Sequence, residues 1–232
     1  MPQSETSLTA DLKGTPHQTT FHVSLASLAA VTVIYCLWLL ISELTQPHII
    51  RMPIDPQTAA AAAAKRTQAN WAARFGVLRG DLWAEAGYTF ADLLWKSSKN
   101  DPNLSQSLET ARDRLDRAIR YAPTNAGVWL LLAGFAAQFE EATEALRMSY
   151  FTGPSDVTLM PIRTFIAAQM PTLDADMQQL ARRDVGILLT RAQKPAIAQA
   201  YHVSSPAGKR LIEQEVTEKD PAFAQTLRRG AE

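Results

Sequence analysis

The chain has one cysteine in 232 residues. It therefore cannot form an internal disulfide, which excludes the disulfide-stapled class of small scaffold. Cys36 lies in the most apolar stretch, and cysteine usage fits an oxidising or a reducing compartment equally. Histidine is also scarce. His17, His22, His48 and His202 are the four, and none has His, Cys or carboxylate neighbours at metal-ligand spacing. Glycine occurs ten times but never as a phosphate-cradling loop, because Gly208-Lys209 lacks the upstream glycine such a loop needs. Neither sign of charge dominates, with 23 basic and 23 acidic residues. A general nucleic-acid binder needs a basic face to neutralise phosphates, so that class is excluded. No run alternates with the two-residue period of a half-buried strand. The sequence thus offers no catalytic, cofactor-binding or metal-binding constellation, and no enzyme activity or small-molecule substrate is expected.

What remains is helix. Val23 to Ile41 is uncharged and almost wholly apolar. Nineteen helical residues rise roughly 28 Å, close to the hydrocarbon thickness of a bilayer. A cleaved signal peptide and a buried core helix compete with this reading. The run is long for a signal, however, and no small-x-small cleavage site follows its Leu-Leu-Ile-Ser-Glu end. We therefore expect a transmembrane anchor over residues 21–43, preceded by a disordered polar tail (1–20) and followed by a linker (44–55) containing Pro47 and Pro53. Lys13 before the span and Arg51 after it leave the charge bias across the span nearly balanced. Single-span proteins with short tails usually keep the tail inside, so the expected place is a bacterial inner membrane, with the bulk of the chain periplasmic.

Residues 56–232 read as one helical domain. Asp55-Pro56, Asp174, Ser205-Pro206 and Asp220-Pro221 carry the cap and first-turn chemistry of helix starts. Trp71, Phe75, Leu78, Leu82, Ala86, Phe90 and Leu93 recur at steps of three and four, which predicts one long helix from about 56 to 97, with close packing or a bend at Gly76 and Gly80 as the alternative. Lys96 to Ser107 reads as a loop. On the following helix Ala111, Leu115, Ala118 and Ile119 share a face, and Asp113/Arg117 and Asp116/Arg120 are spaced i, i+4 with the acid first. Pro123 stops that helix, Gly153-Pro154 stops a later one, and Pro195 closes a helix running from Asp174 to about Lys194.

Trp83, Ala86, Gly87 and Phe90, then Ala111, Leu115, Ala118 and Pro123, resemble a tetratricopeptide repeat, whose first helix opens Trp-x-x-Leu-Gly-x-x-Tyr. Trp129, Leu132 and Ala133, then Ala142, Leu146, Ser149 and Pro154, resemble a second one, with Ala136 where tyrosine is expected. The likeness covers residues 80–155 and two degenerate repeats. It implies an all-α fold: a single N-terminal transmembrane helix followed by a stack of helical hairpins that flanking helices must cap. It also implies a protein-binding groove on the first helix of each pair. Carried over position by position, the groove residues are Asp81, Ala84, Tyr88 and Asp92 in the first repeat, and Gly127, Leu130, Gly134 and Gln138 in the second. Asp81 and Asp92 would form an acidic lip, and the glycines would let a partner backbone approach. The expected function is a membrane-anchored scaffold or adaptor for protein partners of the cell envelope, in envelope or surface-polysaccharide assembly. The alternatives are a structural subunit of a larger membrane complex and a periplasmic chaperone-like factor.

Overall fold

The computed structural model describes residues 16–49, 51–95 and 102–230, and every regular element among them is a helix. The chain divides into two units, residues 1–44 and 45–232. The first holds α1 (Pro16–Leu44). Within it, Thr20–Leu44 is 25 residues long and holds an 18-residue window of mean hydropathy 2.2, long and apolar enough to cross a membrane. The Ser24 and Thr32 hydroxyls donate to the Thr20 and Leu28 carbonyls one turn back, each at 2.9 Å. Both hydroxyls are thus satisfied within the helix, as apolar surroundings require. The helix starts at Pro16, inside the expected tail, and residues 1–15 of that tail lie outside the described residues.

The second unit runs α2 (Pro56–Ala64), α3 (Arg66–Phe75), α4 (Gly80–Tyr88), a 3-10 turn (Ala91–Trp95), α5 (Pro102–Tyr121), α6 (Ala126–Phe135) and α7 (Phe139–Thr152). It continues through α8 (Met160–Gln169), α9 (Ala175–Thr190), α10 (Lys194–Val203), α11 (Pro206–Lys219) and α12 (Pro221–Arg229). The expected helix starts are realised as caps. Asp55 accepts from the Gln57 and Thr58 amides, Asp174 from Met177, Ser205 from Gly208 and Asp220 from Phe223.

The long helix expected over 56–97 is instead three helices and a turn. Lys65 ends α2, its amide reaching back to Ala62 and Ala63, and Gly76 ends α3 by donating to Ala72. The apolar rhythm misleads here because the large residues of α3 face outward. Trp71 is 53% exposed and Leu78, just beyond the helix, 75%, while Ala69, Ala72 and Ala73 are fully buried. Small side chains let α3 pack closely on α4, and Trp71 and Phe75 stack on each other at the surface with ring centroids 5.9 Å apart. The loop expected over Lys96–Ser107 is shorter, because Pro102 opens α5, a position where its fixed φ suits the first helical turn. Residues 96–101 lie outside the described residues. Pro195 does not close α9 but sits in the first turn of α10, after a tight turn with Ala192 at φ 56°.

The most extensive helix contacts are α6 with α7 and α4 with α5, and α8 to α11 pack onto one another beyond them. Leu82, Leu115, Leu130, Leu146, Leu188 and Ile212 are fully buried in one apolar cluster that reaches from Met52 to Leu227. Trp83 lies in that cluster beneath the Arg117 guanidinium, 4.9 Å from its ring centre. Trp129, expected inside by the repeat register, is only partly buried and donates its indole N–H to the Pro123 carbonyl at 2.7 Å.

Arginines from neighbouring helices close several helix ends. Arg66 donates to the Thr89 carbonyl at 2.7 Å, Arg112 to Phe135 at 2.7 Å, and Arg163 to Ser149 and Gly153 at 2.9 and 2.6 Å. Each cation meets carbonyls left over at a helix C-terminus, where the helix dipole is negative. Arg163 is completely buried over the Tyr150 ring, and Asp184 is completely buried nearby. Asp184 lies 3.6 Å from Arg183, beyond hydrogen-bond length, and its oxygens accept no hydrogen bond from the described residues.

Burial raises the Asp184 carboxyl from 3.8 to about 6, against the lowering pull of Arg163 and Arg183. The folded chain therefore holds more protons than the unfolded chain between about pH 4 and pH 6. The contribution of Asp184 to stability is greatest below about pH 4 and is lost as pH rises through the folded value. At about 1.4 kcal/mol per pH unit the loss is roughly 3 kcal/mol. Asp184→Asn removes the titration. Denaturant unfolding across this range is expected to show the wild-type decline flattened in the variant; an unchanged pH profile would contradict the assignment.

Candidate functional site

The stretch Gly80–Tyr88 that forms α4 contains Asp81 near its start and one further acid, Glu85. Glu85 is only 5% exposed. A buried carboxylate needs donors, and both of its donors come from residues 45–55, the stretch expected to be a linker. The Ile49 amide donates to Oε2 at 3.1 Å, and the Gln46 carboxamide donates to Oε1. Lys65, just after α2, donates to the Pro47 carbonyl at 3.1 Å. Met52 is buried, and its Cβ would lie 3.3 Å from a Cβ added at Gly127 on α6. Residues 46–49 and 51–53 therefore form a strap laid across α4 and α6. The described residues of the strap have neither helix nor strand. Its two prolines lack the N–H that a regular ladder would need. His48 adopts φ 57°, the left-handed region where histidine is tolerated more than most residues.

Under the strap, the Tyr88 hydroxyl donates to Asn125 Oδ1 at 2.7 Å, and the same oxygen caps α6 by accepting from the Gly127 and Val128 amides at 3.1 and 3.3 Å. One side chain thus fixes the end of α4 to the start of α6. Burial holds the Tyr88 phenol well above its ordinary range, so it stays a donor. A Cβ at Gly127 would come within 2.7 Å of that hydroxyl. This close approach is the physical need for glycine there.

The structure brings Tyr88 and Gly127 of the expected groove residues together, but the groove is not open. Ala84 and Leu130 are buried. Gly134 faces Leu94 and Ile166 from the 3-10 turn and α8, so its missing side chain makes room for the chain's own residues. Asp92 is paired with Arg66 at 2.8 Å and Asp81 with Arg79 at 2.6 Å, which removes them as an unpaired acidic lip. Gln138 is exposed at the start of α7.

Sequence reasoning passed over Glu85, Gln46, Ile49 and Met52. The one available signal was an acid midway between Asp81 and Asp92, in a stretch otherwise free of charge. Among the described residues no group of three or more His, Cys, Asp or Glu is placed to hold a metal ion. Neither family models, curated proteins nor solved structures give a match to this chain.

Glu85→Ala removes the acceptor of both strap donors. Hydrogen bonds to a charged group contribute about 1.5–3 kcal/mol each, so strap opening is expected to rise at least about tenfold. Limited trypsin digestion of the folded chain, followed at the exposed Arg51, should quicken by that order; an unchanged rate would show that the carboxylate does not hold the strap.

Proposed function

We propose that the chain is a membrane-anchored helical-repeat scaffold or adaptor that mediates protein–protein interactions in the bacterial cell envelope. In this reading α1 is a single pass through the inner membrane and residues 45–232 lie on the periplasmic side. The α4–α5 and α6–α7 hairpins stand for two degenerate tetratricopeptide repeats. The observation that supports the reading most is the strap itself. An irregular peptide segment lies on the first helices of both hairpins, against Glu85, Tyr88 and Gly127, the face on which such repeats receive partners. A partner segment would offer the same chemistry: a main-chain N–H or carboxamide to Glu85 and an apolar side chain to the Gly127 surface. Envelope or surface-polysaccharide assembly is the setting that this architecture suggests.

Two measurements test the proposal. A topology reporter fused after Glu232 is expected to read periplasmic; a cytoplasmic signal overturns the placement. Purification after cross-linking in whole cells is expected to recover envelope partners, and Gln46→Ala, which removes a strap donor and leaves Glu85 for the partner, should raise their yield about tenfold. Recovery of the chain alone overturns the scaffold reading, and a yield unaffected by Gln46→Ala overturns the groove as the contact.

A further inference from the structure

On its other side the strap borders a cavity of about 410 Å³, walled by Ile49, Met52, Pro53 and Ile54 together with Ala61 and Ala62 of α2. That volume falls in the range of small-molecule sites, and so does the mainly apolar wall. The charged residues on it, Arg51 and Lys65, are both cationic, and the His48 imidazole lies beside them. No Asp or Glu lines it. The remaining polar members are Thr58 and Thr158, whose hydroxyls are already engaged with Asp55 and Asp156. Lys65 gives one hydrogen bond to the Pro47 carbonyl, and an ammonium has three donors to place.

Ile54 also borders a second, more polar cavity of about 430 Å³, where Asp55, Gln193 and Gln199 stand beside Trp95, Ile162 and Phe165. The first cavity is thus an apolar trough with a cationic mouth. A ligand matching this arrangement carries an anionic head and a long hydrocarbon tail. In sequence, His48 follows the last residue of α1, Leu44, by four positions.

We propose that this trough is a binding site for the acyl chain of an anionic membrane phospholipid, with its headgroup phosphate held by Arg51 and Lys65 beside His48. The guanidinium and the ammonium pair with phosphate oxygens. The mainly apolar wall replaces the bilayer hydrocarbon around the tail, so the acyl chain can enter without meeting water. The site goes beyond the scaffold reading and does not depend on it, although Ile49 and Met52 of the strap border both the cavity and the groove.

The test uses the full chain reconstituted in phosphatidylcholine vesicles that contain a small fraction of phosphatidylglycerol with a photoactivatable diazirine on its acyl chain. Adducts are mapped by peptide mass. They are expected on residues 46–65 as well as on the apolar helix 20–44. Ala61→Trp, an exposed position on the cavity wall, fills the trough. It should lower labelling of 46–65 roughly fivefold or more, equivalent to about 1 kcal/mol, while labelling of 20–44 stays constant. Arg51→Glu, also exposed, should lower it similarly without filling space. Labelling confined to 20–44, or indifferent to both substitutions, overturns the site. Equal labelling of 46–65 by the corresponding phosphatidylcholine probe overturns the anionic headgroup. Helical content and thermal unfolding of each variant, matched to the wild type, tie any loss to the cavity; if Ala61→Trp unfolds the chain, Arg51→Glu and the headgroup comparison decide alone.

Discussion

A carboxylate buried inside a helical domain constrains everything packed around it, and Glu85 is that group here. At 5% exposure it has lost most of its hydration, so it is stable only where donors replace water. Those donors are the Gln46 carboxamide and the Ile49 amide. The strap is thereby part of the domain's polar bookkeeping, although its residues precede the first helix of the domain. Its position in turn seats Met52 against α6 beside Gly127, where the Tyr88–Asn125 contact joins α4 to α6. Moving the strap would expose that junction and leave Glu85 without its two donors.

Elsewhere the fold is held by a different device. Short helices have many unpaired terminal carbonyls in proportion to their length. Arg66, Arg112 and Arg163 satisfy such carbonyls at the ends of neighbouring elements. Close approach by small residues supplies the rest. Alanines form the inner face of α3, and a Cβ at Gly208 on α11 would come within 2.0 Å of the Ala168 carbonyl. This explains how a chain with few large residues on several inward faces still buries a continuous apolar cluster.

Much of this was legible in the residues. The apolar span, the absence of strand, and the starts at Asp55, Asp174, Ser205 and Asp220 follow from local chemistry that acts within a few positions. The inward face of α5 at Ala111, Leu115 and Ala118 was also legible. The features that stayed hidden depend on contacts between segments far apart in sequence. Trp71, Phe75 and Leu78 have helical spacing, but periodicity does not say whether a stripe of large residues or its alanine neighbours face inward. Two prolines and a polar mix describe a linker and a packed strap equally well. Of the candidate groove, the repeat register names Tyr88 and Gly127, but not their contact with each other. The residues that fill the groove could not be placed this way, because strap, 3-10 turn and α8 reach it only after folding.

The account stands or falls on whether the strap is held as part of the domain. Hydrogen exchange of the full chain, read at the amides of residues 46–53, addresses this most directly. The Ile49 amide, bonded to Glu85 at 3.1 Å, is expected to exchange about a hundredfold or more slowly than in an unstructured peptide, since it opens only when the strap detaches. Exchange of Ile49 at the rate of an unstructured peptide, with α4 and α6 still protected, would contradict the account.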